Sequence, residues 1–260
     1  MGADASLRLF AHHAARPEAD LDLARAALLL AEPEYPSLDC SAYLERLDEL
    51  GRLAGERIAG GGRIDPRGDL SGRPAVAPGV AQVLQLLYGE LGFRGNDDDY
   101  YDPRNSFLNE VIDRRTGIPI TLALVLIEVA RRAGLTAHGV GFPGHFLVRF
   151  EDDVHGTTLV DPFEGCVLDE EALADLATRR TGHANIPDPR ALEPASKANT
   201  LIRMLNNLRG IYAAREESGR LRGILERLEV LAPSTELRRQ IEALGGVHLP
   251  PPRSRPTQLH

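Results

Sequence analysis

The run Ile118 to Ala130, IPITLALVLIEVA, carries a single charge, Glu128. From Ile120 to Ile127 every residue but Thr121 is apolar, so a helix over this run has no polar face to turn to water. The run is shorter than the roughly 20 residues that span a bilayer, so other parts of the chain must enclose it. Pro119 suits the first helical turn, where its missing N–H costs nothing. Gly134, after Arg131 and Arg132, supplies the C-terminal stop. The rest of the fold is expected to pack around this helix.

The chain has the material for that. Its 260 residues are 43% hydrophobic, enough for one large domain or two to three small ones. The formal net charge is -8 without a basic patch, which argues against nucleic acid as the main partner. Lys197 is the sole lysine, so the basic residues are otherwise arginine, which reads as compositional bias. Cys40 and Cys166 are far apart and lack metal-type spacing, so no disulfide framework is expected and a reducing cytoplasm fits. Met1 to Ser6 matches the short acylation pattern, yet no positive region precedes the first apolar run and no membrane association is expected.

Helical periodicity predicts helices over 19–32 and 38–59, the second capped by Asp39 or Ser41, and over 80–91. The Gly- and Pro-rich stretch 60–79 reads as a loop. An acidic loop, GNDDDYYDPRNS, follows; it lacks the glycine and glutamate of a calcium loop. Asn105 or Ser106 is expected to cap a short helix containing Leu108, Val111 and Ile112. Strands are expected over 137–142, 145–150 and 157–163, the last two forming a hairpin about the polar turn EDDVHG. A helix over 169–180, a linker over 182–194 and three helices over 195–216, 219–231 and 235–244 complete the chain, with a disordered tail over 249–260.

The hairpin brings candidate chemistry together. A turn centred between Asp153 and Val154 sets His145 opposite Pro162, one step from Asp161. A carboxylate accepting from an imidazole fixes its tautomer, and the result serves either as a general base or as a buried structural bond. Asn105 and Asn109, four apart on one expected helix face, offer amides to a peptide ligand or to loop backbone. Arg149 is expected either to pair with an acidic side chain or to bind a carboxylate. Thr121 carries the nearest hydroxyl on the central helix. His138, His145 and His155 match no metal-ligand spacing, so neither metal nor cofactor is expected.

The segments YYDPRNSFLNEVIDRRTGIPITLALVLIEVARRAGL, GVGFPGHFLVRF and LVDPFEGCVLD resemble the transglutaminase-like core of the bacterial SirB-type proteins. AALLLAEPEYPSLDCSAYLERLDEL and LLYGELGFRGN are similar to that family's helical N-terminal region, and the C-terminal helices to its tetratricopeptide-like end. The resemblance covers most of residues 20–245. It implies an α+β fold: a papain-like or transglutaminase-like core over 96–182, its small antiparallel sheet packed on a central helix. Helical regions flank it over 1–95 and 183–248.

Active transglutaminase-like enzymes carry Gly-x-Cys-x-x-x-Ala at the start of that helix, with histidine and aspartate on adjacent strands. Gly117 and Ala123 match the outer positions, and His145 and Asp161 match the dyad; the cysteine position falls on Pro119. Proline has no nucleophile, so Cys–His–Asp acyl transfer has no starting group. Thr121 lies about 200° further round the helix, away from the histidine. The resemblance thus implies an inherited dyad in a non-catalytic, peptide- or protein-binding or regulatory adaptor. Pro119, Thr121, Asn105, Asn109 and Arg149 would line its cleft. Eukaryotic ubiquitin-ligase substrate receptors with a similar core point the same way. The alternative is an amidase- or peptidase-like hydrolase in which the dyad activates water.

Overall fold

A computed structural model describes residues 3–61, 76–182 and 189–245. Most of the expected 60–79 loop, part of the 182–194 linker, the tail over 249–260 and Met1 and Gly2 lie outside the described residues.

The central helix, α6, spans Pro119–Arg132 and is buried at every residue from Pro119 to Ala130. Four helices precede it: α1 (Ala3–Ala14), α2 (Leu23–Ala31), α3 (Cys40–Ala59) and α4 (Pro78–Leu84). A fifth, α5, spans Leu108–Arg114. Asp22 and Asp39 cap α2 and α3 by accepting from the next turn's N–H groups, the usual work of a short side chain at that position. The helix expected over 80–91 is composite: after α4 the backbone widens into a π turn over Gln85–Glu90. Helix α1 was not anticipated. Its Leu7, Phe10 and Ala14 follow a helical period and are buried.

Four antiparallel strands form a meander in the order β3 (Thr136–Val140), β4 (Leu147–Asp152), β5 (Gly156–Asp161) and β6 (Cys166–Leu168). One face sends Ala137, Val148, Phe150, Val160 and Val167 into the cluster built on α6. The other sends Val140, Leu147, Leu159 and Leu168 against Leu173, Leu176 and Ala177 of α7 (Glu170–Thr181). The sheet is thus a layer between two helices, and the fold is α+β. A short parallel pair, β1 (Arg94–Gly95) with β2 (Thr116–Gly117), lies ahead of α6.

Two local expectations are corrected. The strand expected from His145 begins at Leu147, and it pairs Val148 with Val160, one residue off the expected register. Asn105 and Asn109 do not share a helix: Asn105 belongs to a 3₁₀ turn over Pro103–Ser106, and extended Phe107 separates it from α5. That helix begins without a side-chain cap.

The C-terminal helices α8 (Lys197–Ala214), α9 (Ser218–Leu231) and α10 (Thr235–Ala243) pack onto the rest. Helix α8 contacts α2 and α6, and α9 contacts α1. Lys197 ties the start of α8 to the N-terminal region, its Nζ donating to the Leu21 carbonyl at 2.8 Å. Arg227 of α9 is buried against Phe10 and donates to Ser6 Oγ at 2.9 Å; burial pushes its guanidinium down to about 10. Among the described residues no helix is long and apolar enough to cross a membrane.

Helices α3 and α6 meet at Gly51, where an added Cβ would stand 2.2 Å from Arg132 Cβ. Close by, Arg132 Nε donates to Asp48 Oδ1 at 2.6 Å, and the same guanidinium pairs with buried Glu128. Gly51→Val is therefore expected to lower unfolding stability by about 1–3 kcal/mol in urea titrations. A second expectation concerns Asp102, which accepts from Arg104 N–H at 2.9 Å and Arg104 Nε at 2.8 Å. Burial alone would raise its carboxyl; the hydrogen bonds and charges of Arg104 and Arg114 outweigh burial and lower it. A depressed folded value stabilises above the ordinary 3.8 and is lost as the pH falls through the folded value. Asp102→Asn is expected to cost about 1 kcal/mol at neutral pH. The gap from wild type should close in denaturation series taken below the ordinary carboxylate value.

Candidate functional site

His145 sits in a tight turn. Pro143 and Gly144 occupy its centre, Gly144 is left-handed at φ 61°, and His145 N–H donates to the Phe142 carbonyl at 3.1 Å. Pro at the first central position and glycine at the second suit a type II turn. From α8, Arg203 Nη2 donates to the His145 carbonyl at 2.6 Å and to the Phe142 carbonyl at 3.1 Å. The turn is thus held from both ends before the side chain is considered.

The imidazole Nε2 lies 2.8 Å from Asp161 Oδ1, at the end of β5. The same oxygen accepts from Phe163 N–H at 2.9 Å. An ionised Asp161 makes Nε2 the protonated nitrogen and leaves Nδ1 as the acceptor. Nδ1 is buried and has no hydrogen-bond partner among the described residues. The side chains of His145 and Asp161 are 0% and 5% exposed. The pair is a general base in form, sealed from solvent.

The seal is aromatic. Phe163 meets the imidazole edge-on, with ring centroids 6.4 Å apart, and Tyr100 tilts against Phe163 at 6.1 Å. A Cβ at Gly95 of β1 would strike the Phe163 ring at 2.4 Å, so only glycine lets that ring lie there. Tyr88, presented by the π turn, donates to the Pro162 carbonyl at 2.8 Å. Burial, with Asp161 and Cys166 nearby, raises the Tyr88 phenol and keeps it a donor. Left-handed Gly165 makes room for the Tyr88 ring, 2.3 Å from where a Cβ would be.

The other candidates are placed as follows. Pro119 is buried at the first position of α6. Thr121 is fully buried; its hydroxyl accepts from Ile118 N–H at 3.2 Å and donates to the Asn105 carbonyl at 2.6 Å. That is half of a capping box, since Ile118 has no acceptor to return the bond. Asn105 donates to the Asp99 and Tyr100 carbonyls at 2.7 and 3.2 Å and accepts from Asn96 Nδ2 at 3.0 Å, stitching the acidic loop shut. Asn109 is buried, and its Oδ1 has no partner among the described residues. Arg149 pairs with Glu151 at 3.2 Å and reaches the Leu192 carbonyl at 3.3 Å, on the α7 side of the sheet. Cys166 lies directly across the ladder from Asp161. Among the described residues no cluster of three or more His, Cys, Asp or Glu could hold a metal.

Sequence reasoning missed Arg203, Phe163 and Tyr88. Phe163 follows the Asp-Pro pair directly and was within reach. Arg203 comes from a helix nearly sixty residues on, and nothing local signals it.

The model of the transglutaminase-like superfamily matches residues 41–206. A UPF0162 protein of Xylella fastidiosa is 40% identical over 219 residues, covering 82% of this chain and 73% of its own length. A UPF0162 protein of Pseudomonas aeruginosa is 35% identical over 195 residues, covering 75% and 66%. Human F-box only protein 21 is 42% identical over 93 residues, 34% of this chain and 15% of its own length. The match across α3 to α8, taken with identity over most of both bacterial chains, means that this chain belongs to the transglutaminase-like superfamily.

Proposed function

We propose that the protein is a non-catalytic member of this superfamily, a regulatory adaptor of the cytoplasm that binds an extended peptide or another protein. One observation carries the reading: the dyad is sealed, and Pro119 stands where the resemblance to active enzymes puts the cysteine. The Thr121 hydroxyl is already spent on backbone. The SirB-type resemblance and a tetratricopeptide-like reading of α8 and α9 support a binding role, with 96–182 as the core and 1–95 and 183–248 as its helical flanks. The net charge of -8 favours a protein partner over nucleic acid or an anionic membrane.

One observation favours a second reading. Nδ1 of His145 is an unpartnered acceptor, and a base needs one. If the Phe163 side opened, water beside that nitrogen would be activated for ester or amide hydrolysis.

Turnover decides between the two. Wild-type protein incubated with a panel of activated esters and peptide amides is expected to give no more product than His145→Gln. A wild-type rate that this folded variant lacks would establish the hydrolase instead. Both His145→Gln and Asp161→Asn are expected to lower the unfolding free energy by about 2–4 kcal/mol, because each leaves a buried polar partner behind. Chemical denaturation reads that loss.

A further inference from the structure

Three arginines, Arg180 of α7 with Arg203 and Arg215 of α8, lie around the Tyr100–Tyr101 pair next to the sealed dyad. Arg180, near the end of α7, packs against the His145 turn: a Cβ on Gly144 would stand 3.6 Å from Arg180 Cβ. Arg203 grips the same turn through Nη2, and its guanidinium lies over the Phe146 ring at 5.2 Å. Arg215, capping α8, donates to the Tyr101 carbonyl at 3.2 Å. The Tyr100 phenol feels the charges of both Arg180 and Arg203. Tyr101 stacks edge-on against Tyr100 at 5.4 Å and is 72% exposed.

The chain is acidic overall, and elsewhere its arginines are widely paired, as Arg46 with Asp113, Arg57 with Glu90 and Arg132 with Asp48. Among the described residues Arg203 and Arg215 are held by carbonyls and Arg180, Arg203 and Arg215 make no ion pair, although Asp97, Asp98 and Asp99 lie on the same loop as Tyr100. Half-buried Arg203 is held by carbonyls and an aromatic face, so its positive charge is uncompensated and burial lowers its guanidinium. An uncompensated, partly desolvated cation gains most from a carboxylate brought by a partner. The exposed Tyr101 ring offers an amphipathic anchor beside it.

We infer that the rim of Arg180, Arg203 and Arg215 around Tyr100 and Tyr101 is the docking surface for an acidic peptide segment of another protein, an inference that rests on the adaptor reading. Carboxylates of the segment pair with the arginines, and an apolar or aromatic side chain lies on Tyr101. The aromatic column Tyr101–Tyr100–Phe163 then runs from the bound segment to the imidazole.

The test uses the full chain and a displayed library of random peptides, with Arg180→Gln/Arg215→Gln as the comparison protein. Both changes sit on exposed side chains outside the dyad, so the double variant should fold, and a matching unfolding curve verifies that. Enrichment of peptides rich in Asp and Glu is expected on the wild type. A fluorescent glutamate-rich peptide made from the enriched pattern should bind about tenfold more weakly to the double variant and weaken as salt rises. Its glutamine counterpart should not bind. Enrichment of non-acidic peptides that bind both proteins equally would overturn the docking surface and leave the adaptor reading standing. A library without enrichment would overturn the docking surface and the peptide-binding form of the adaptor reading. Binding of a single-stranded oligonucleotide as tight as that of the acidic peptide would also overturn the assignment, because it would mark the rim as a general polyanion surface.

Discussion

A helix with no polar face has to be wrapped on every side, and the architecture answers that one demand. Helices α3, α4, α5 and α8 and strands β3 and β4 all contact α6. One charge is admitted, and only in an arranged form: Glu128 is buried, and Arg131 and Arg132 answer it from the next turn. Fully desolvating that carboxylate without them would cost several kcal/mol. The close approach at Gly51 follows from the same demand, since α3 must come near enough to leave no gap over the C-terminal end of α6.

The same enclosure sets the character of the dyad. A histidine and an aspartate 2.8 Å apart are chemically able to move a proton. Able is not the same as useful, because chemistry needs an approach path and a reacting atom. Here the pair is buried, Phe163 lies against the imidazole, and a proline begins the helix. The pair also works as structure: Asp161 joins the end of β5 to the 143–145 turn, and the turn is held in place from α8.

Much of this was legible in the sequence. The central helix and its Pro119 start followed from periodicity and local backbone chemistry, and Asp39 was one of two caps that the sequence offered for α3. His145 and Asp161 were paired from hairpin spacing and from the resemblance. The register slipped by one because the polar turn has no Asn-Gly or Asp-Gly pair to fix its centre. Reading 145–150 as one strand ignored Pro143-Gly144, which spends His145 on a turn. The two asparagines were placed on one helix because a four-residue spacing looks helical, whereas Phe107 breaks it with an extended backbone. Arg203 escaped altogether. Its contact joins residues far apart in the chain, and no local pattern encodes such a contact.

Lys197 has a consequence for how this molecule can be handled chemically. Its ammonium is already engaged at the Leu21 carbonyl, and it is the single side-chain amine in the sequence. Amine-directed crosslinkers, acyl donors and isopeptide-forming enzymes therefore have one internal address, at the start of α8. Any amine-derived adduct away from the N-terminus maps to that corner without ambiguity. The arginine-rich remainder of the surface stays invisible to the same reagents.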